Sequence, residues 1–221
     1  MTDGELPPAP PEVASVVPDD QARARLQSYA EFLASAGVER GLLGPREVPR
    51  LWDRHLLNCA VVAPMVPAGA HVIDVGSGAG LPGRVWAIVR SDITLTCLES
   101  LQRRATYLEE AVGALGLTDR VSVVRARAED VVRGRASESS LRGDVVTARA
   151  VAPLDKLAGW TVPLLKPGGD LLALKGQSAA DEVEAARTVL ERLGIDSVEI
   201  VQCGEGIVDP PTTVVRARKA R

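Results

Sequence analysis

This 221-residue chain is poor in the residues that most often carry chemistry: it has two histidines and three cysteines, Cys59, Cys97 and Cys203, far apart and with no CxxC pair. A disulfide framework and a zinc site are therefore not expected, and no other metal set stands out. Cys59 and Cys97 read as small core side chains, and the protein is expected to work in a reducing cytoplasm. One Phe, two Tyr and three Trp leave no platform for stacking unpaired bases. Neither charge sign is in excess. With 26 basic and 29 acidic residues the net charge is −3, so a polyanion must be met by a local patch and not by the field of the whole molecule. Lysine is almost missing, at 4 of the 26 cations. Arginine suits bidentate phosphate contacts, although GC-rich coding produces the same bias. The opening MTDGELPPAPPEV is acidic and proline-rich, unlike a signal peptide. The longest apolar run, Leu56 to Ile73, is interrupted by Pro64, Pro67 and Gly69 and reads as helix end, turn and strand, not as a membrane span.

What is present is an ordinary globular composition, 46% hydrophobic and 25% charged. Residues 1–18, with five prolines, read as a flexible tail. Residues 19–66 read as a helical extension: Asp19 or Asp20 caps a helix whose stripe runs Ala22, Leu26, Tyr29, Ala30, Leu33, Ala36 and stops at Gly37. A second stripe runs from Val48 to Val62. From residue 67 to 221 strands and helices alternate. Strands are expected at His71–Val75, Ile93–Leu98, Arg120–Val124, Asp144–Thr147 and Asp170–Lys175. Helices are expected after Pro82, at Gln102–Leu115, Leu154–Leu165 and Ala179–Leu193. That is a doubly wound, mostly parallel α/β sheet. The last two strands, Val198–Cys203 and Thr213–Ala217, have no helix between them, so the final one runs antiparallel.

The run from Asp74 to Gly83, DVGSGAGLPG, follows the first strand and opens a helix. Glycines there let the backbone turn sharply and approach a ligand, as nucleotide-derived cofactors require. Gly78, Gly80 and Gly83 also fit the dinucleotide pattern GxGxxG, with Glu99 placed for a ribose, so a nicotinamide-dependent oxidoreductase competes. The acid followed by Gly-Ser-Gly-Ala-Gly resembles the first motif of class I methyltransferases, whose fold also ends on a reversed strand. S-adenosylmethionine is then the cofactor, with Ala128, Glu129 and Asp130 at its adenine.

The acceptor is narrowed by what is missing. Amine methylation of adenine or cytosine uses a polar-Pro-Pro-aromatic motif after the fourth strand, where this chain has Thr147, Ala148, Arg149 and Ala150. Asp209-Pro210-Pro211-Thr212 lies elsewhere and reads as a rigid turn. No cysteine is placed for pyrimidine C5 chemistry. A lone-pair nucleophile remains, such as guanine N7, a hydroxyl or a carboxylate, and transfer to N7 needs no general base. His55 sits on an apolar stripe and reads as structural as readily as catalytic.

Arg54-His55-Leu56-Leu57, the glycine motif with its Leu-Pro-Gly extension, Glu99-Ser100-Leu101, Arg104 with Leu108, Ala128-Glu129, Arg149-Ala150 and Lys175-Gly176 occur in the same order as in one known family. The chain resembles the bacterial 16S ribosomal RNA guanine-N7 methyltransferases, also called glucose-inhibited division protein B, from about Arg54 to Gly176. The resemblance implies a class I methyltransferase fold with an N-terminal helical extension, S-adenosylmethionine as methyl donor, and a cytoplasmic monomer. It implies one acceptor, guanine-527 of 16S rRNA near the decoding centre, met within the small ribosomal subunit or an assembly intermediate. Cofactor contacts would come from Asp74, Gly76, Ser77, Gly78, Gly80, Leu81, Glu99, Ala128, Glu129 and Arg149. Arg149 would position the guanine or its phosphate, or instead pair with Glu129 or Asp130. His55 and Lys175 join it as catalytic candidates, and Arg54, Arg103, Arg104, Arg125 and Arg127 are RNA-contact candidates. Between Arg120 and Arg149 seven arginines face four acids, and the end of the chain holds Arg216, Arg218, Lys219 and Arg221. Leu43-Gly44-Pro45 and Pro211-Thr212-Thr213 depart from the family pattern. A small-molecule or protein methyltransferase, and a binding factor without catalysis, are the other readings.

Overall fold

The computed structural model describes residues 5–136 and 140–221. Seven strands form one sheet: β1 (His71–Val75), β2 (Thr94–Glu99), β3 (Val121–Arg125), β4 (Gly143–Arg149), β5 (Leu165–Lys175), β6 (Ile195–Cys203) and β7 (Thr212–Lys219). Their order is β3-β2-β1-β4-β5-β7-β6. β7 alone runs against its neighbours, antiparallel to both β5 and β6, because residues 204–211 supply a turn where a parallel return would need a crossover helix. The order reverses between β1 and β4, and the crevice beyond their carboxyl ends is where α/β sheets bind ligands.

Alternation along the strands feeds two cores. Val72, Leu95, Cys97 and Val145 point to one face, which is covered by α2 (Asp20–Phe32), α4 (Gly83–Val89) and α5 (Gln102–Ala114). Ile73, Val75, Leu98 and Val146 point to the other, covered by α6 (Ala128–Val132), α7 (Leu154–Thr161) and α8 (Ala179–Arg192). The first strand therefore aims Asp74 at the face that carries α4. Among the described residues no helix is long and apolar enough to cross a membrane.

Three readings of the N-terminal region need correction. The described part of the tail is not loose: α1 (Glu12–Val16) forms, Val13 and Val17 are buried, and the Trp52 indole N–H donates to the carbonyl of Pro7 at 3.1 Å. Two valines four apart give this short segment an apolar anchor that its proline content obscures. Residues 1–4 lie outside the described structure. Asp19 caps α2 as expected, its carboxylate accepting from the Ala22 N–H at 2.7 Å, but the helix does not end at Gly37. It continues through a π-type turn, Leu33–Gly37, and the left-handed residue is Gly41. Gly37 serves close packing instead, since a Cβ there would stand 3.3 Å from the Tyr107 hydroxyl. The second stripe is buried as a stripe, yet Pro49 breaks its regularity into a 3₁₀ segment (Pro45–Arg50), a π-type segment (Leu51–Leu57) and α3 (Asn58–Ala60).

Candidate functional site

The site has two halves. The first is the loop between β1 and α4. Gly76, Gly78 and Gly80 all have positive φ, which L residues with side chains rarely adopt. The loop folds over the end of β2, with Gly76 and Ser77 N–H groups donating to the Leu98 carbonyl at 2.8 and 3.3 Å. Glu99, only 3% exposed, accepts from Gly78 N–H at 3.0 Å through one oxygen and from Leu101 N–H at 3.0 Å through the other. Each carboxylate oxygen keeps a second lone pair for a ligand hydroxyl.

The glycines do different work. A Cβ on Gly78 would meet nothing closer than a carbonyl oxygen at 3.8 Å, so this glycine borders open space. One on Gly80 would stand 2.9 Å from the Arg84 guanidinium and the Tyr29 hydroxyl, and one on Gly83 would stand 2.8 Å from Asp74. One on Gly76 would meet Val151 at 3.0 Å. Gly80 and Gly83 are therefore packing glycines. Asp74 is also turned inward: fully buried, it accepts from Gly83 N–H at 3.1 Å and ties β1 to α4. Burial pushes its carboxyl up to about 7, against the Gly83 hydrogen bond that favours the anion. Ser77 is turned inward too, its hydroxyl donating to the Asp74 carbonyl at 2.8 Å. Behind the loop, Tyr29 of α2 donates to the Ala79 carbonyl at 2.7 Å, and the buried Arg84 guanidinium lies over its ring at 5.2 Å. The sequence marked Tyr29 only as part of the apolar stripe of α2, and Arg84 did not stand out in it. Leu81 packs half-buried against the first core, and Ala128 and Glu129 begin α6 beyond β3.

The second half is an open groove of about 1470 Å³ beyond the ends of β4, β5 and β7. Arg50, Arg54 and Arg149 stand on one wall, and Asp209 to Thr212 form part of another, so the turn of prolines is part of the site. Thr212 fastens that turn by donating to Asn58 at 3.1 Å. Arg149, the last residue of β4, does not pair with Glu129 or Asp130. Its Nη2 donates to His55 Nδ1 at 2.8 Å and to the Arg54 carbonyl at 3.2 Å, and its Nη1 to Cys59 Sγ at 3.3 Å. His55 Nε2 in turn lies 2.8 Å from a Glu47 oxygen. Glu47 is a residue that sequence reasoning missed. Burial, followed by the Arg149 charge, holds the His55 imidazole below its ordinary pKa, while the His55 hydrogen bond lowers that of Glu47.

After Arg149 the chain turns through Ala150, the one described non-glycine residue with positive φ, at 53°. Such a conformation persists only when its surroundings enforce it. Lys175 does so: its side chain, 10% exposed, donates to the Ala152 carbonyl at 2.8 Å and to Glu182 at 2.7 Å, and Glu182 accepts from Leu154 N–H at 2.9 Å. Lys175 is thus a clamp on the loop that follows β4. Arg103, Arg125 and Arg127 are exposed and Arg104 is half-buried on the β2–β3 flank, at the other end of the cleft from Arg54.

Sheet order, reversed β7, glycine turn and the acid ending β2 define a class I S-adenosylmethionine-dependent methyltransferase fold. Solved structures of similar fold include an S-adenosylmethionine-dependent O-methyltransferase from Thermotoga maritima, with TM-score 0.57, 19% identity and coverage of 80% of this chain and 71% of that one. An O-methyltransferase family protein from Burkholderia thailandensis gives TM-score 0.59 at 16% identity, covering 87% and 62%. Within that class the chain belongs to the rRNA small subunit methyltransferase G family, whose sequence pattern matches residues 22–210. Proteins named Ribosomal RNA small subunit methyltransferase G are 56% identical in Streptomyces avermitilis, over 96% of this chain and 86% of that protein, and 52% identical in Mycolicibacterium gilvum, over 97% and 92%.

Proposed function

We propose that the protein transfers a methyl group from S-adenosylmethionine to N7 of a single guanine, guanine-527 of 16S rRNA near the decoding centre. The cofactor, when bound, supplies an electrophilic sulfonium methyl. The residues fit it: Gly78 borders open space on the ligand side, and Glu99 keeps lone pairs for a ribose diol. Ala128 and Glu129 are the adenine-side residues on this reading.

The observation that carries the acceptor assignment is the state of the two candidate bases beside Arg149. His55, bonded to Arg149, has both ring nitrogens engaged and Lys175 is held by Ala152 and Glu182, so neither of these two is free to take a proton. Guanine N7 carries no proton to lose, and in-line attack by its lone pair asks only for orientation and desolvation. Arg149 keeps its Nε–H and one Nη1–H uncommitted for guanine O6 or a neighbouring phosphate. A groove of about 1470 Å³ exceeds the ~300–1,000 Å³ usual for small-molecule pockets, which favours a polymeric acceptor. On this reading the protein acts in the cytoplasm as a monomer, on the small subunit or a precursor of it.

The test is incubation with radiolabelled S-adenosylmethionine and small subunits from cells lacking the enzyme. Label on one decoding-region guanine, cleavable by mild base and aniline, is the expected result. Measured cofactor binding without RNA labelling overturns the assignment in favour of a small-molecule or protein acceptor.

A further inference from the structure

We infer that Glu47 and His55 are positioning residues: Glu47 accepts the Nε2 proton of His55 and so fixes its tautomer, leaving Nδ1 to accept from Arg149 and fix the guanidinium at the groove. The inference rests on the reading that Arg149 orients the acceptor.

Donor and acceptor roles leave one tautomer. A guanidinium can only donate, so His55 Nδ1, 2.8 Å from Arg149 Nη2, must present its lone pair. The ring proton is then on Nε2, 2.8 Å from the carboxylate of Glu47, which can accept it. The other histidine is an internal contrast. His71 Nδ1 lies 3.1 Å from the Arg142 carbonyl, which can only accept, so His71 carries its proton on Nδ1. The two histidines thus use Nδ1 in opposite senses, as an acceptor in His55 and as a donor in His71.

The charged groups facing His55 are Glu47 from the 3₁₀ segment, Arg54 beside it in the π-type segment, and Arg149 from β4. Protonation would remove the Nδ1 acceptor and set an imidazolium against the Arg149 guanidinium. Activity therefore falls on the acid side as His55 charges, at a pH below the ordinary histidine range. The arrangement also explains a polar residue on a buried stripe: His55 transmits the position of Glu47 to a residue 94 positions later in the chain.

The test begins with the ¹⁵N-labelled wild-type protein, whose two-bond proton–nitrogen spectra resolve histidine tautomers, with His71→Gln assigning the pair. His55 is expected as Nε2–H with a lowered titration midpoint, and an Nδ1–H or freely exchanging ring overturns the proposal. In turnover, His55→Ala should lower kcat by ~100-fold, the usual consequence of displacing a substrate-orienting group by about 1 Å, with cofactor Kd within about threefold. His55→Asn, whose side-chain oxygen replaces the Nδ1 acceptor, should recover at least about tenfold of that loss. Glu47→Gln should move the acid limb to lower pH, because the carboxylate that favours imidazolium is gone. An inactive Arg149→Ala together with a fully active His55→Ala, or with no recovery in His55→Asn, sinks the positioning role and leaves the reading of Arg149 standing. A fully active Arg149→Ala beside the expected tautomer sinks that reading, and the proposal with it.

Discussion

The two halves of the cleft are built in different ways. Over β1 and β2 the proposed cofactor surface is backbone: left-handed glycines, N–H groups turned onto the Glu99 carboxylate, and a helix start fastened to Asp74. Over β4, β5 and β7 it is side chain: Arg149 held by His55 and Cys59, Lys175 held by Glu182, and a turn held by Thr212. A cofactor that never varies suits a fixed backbone cradle, whereas an acceptor that must be picked from many suits adjustable side chains. If this contrast is right, substitutions in the first half damage binding or folding, and those in the second damage turnover.

The largest effect should come from Gly78. Gly78→Asp puts a carboxylate into the open ligand side next to Glu99, and S-adenosylmethionine Kd should rise ~1000-fold, about 4 kcal/mol. Asp tolerates the left-handed region better than most L residues and meets no wall there, so the stability loss should stay at about 1 kcal/mol. Gly83→Ala is the opposite case: its methyl collides with Asp74 and Leu95, and a stability loss of about 1–3 kcal/mol is expected. A Gly78→Asp protein that binds S-adenosylmethionine normally would remove the loop from the cofactor site.

Arg149→Ala comes next, with turnover down ~100-fold and cofactor affinity within about threefold, read by single-turnover methylation and calorimetry. Equal losses in both would make Arg149 part of the cofactor half and erase the distinction.

Those two predictions differ in how far the sequence foretold them. The geometry of the proposed cradle was legible because its residues are consecutive from Asp74 to Gly83, with Glu99 one strand away, and a tight backbone turn leaves a local trace in glycine spacing. All seven strands and the reversal of β7 were legible for a related reason, since apolar alternation and the missing crossover helix are local signals. The proposed acceptor wall was not. Glu47, His55 and Arg149 meet only because the N-terminal turns lie across the end of β4, and no spacing records that. Lys175 and Asp209–Thr212 were read as a catalytic candidate and a turn, and their relation to the groove depends on strand order. The tail shows the limit of composition: five prolines outweighed Val13 and Val17 in the reading, but two buried valines decide the structure.

Asp74 gives a pH test of the cradle. Its folded pKa of about 7 lies above the ordinary 3.8, so its contribution to stability is full below the unfolded value and is lost as pH rises toward 7. Denaturant unfolding of Asp74→Asn beside wild type should therefore show the wild-type advantage shrinking from about pH 4 to about pH 7 and flat above. An advantage that grows over that range would mean that Asp74 is held as an anion.

A smaller loss is expected from the clamp. Lys175→Met keeps the stem but leaves Glu182 without its cation, costing about 1–2 kcal/mol. Turnover should fall only about tenfold, since the loop after Arg149 loosens while its own hydrogen bonds remain.

The smallest effects should lie on the flank that neither half uses. Arg125, which ends β3, and Arg127 just after it are exposed on the side of the proposed cofactor cradle, whereas Arg50 and Arg54 line the proposed acceptor groove. If RNA spans the whole cleft, replacing Arg125 or Arg127 by Ala should weaken subunit binding at every sequence alike. Removing one arginine–phosphate pairing should lower the slope of log affinity against log salt by about 0.7–0.9 while leaving kcat unchanged. An unaltered slope in both variants, beside a reduced one in Arg50→Ala, would confine the RNA to the acceptor half. The contrast between the halves would then extend to the polymer itself, with one half touching only cofactor and the other only RNA.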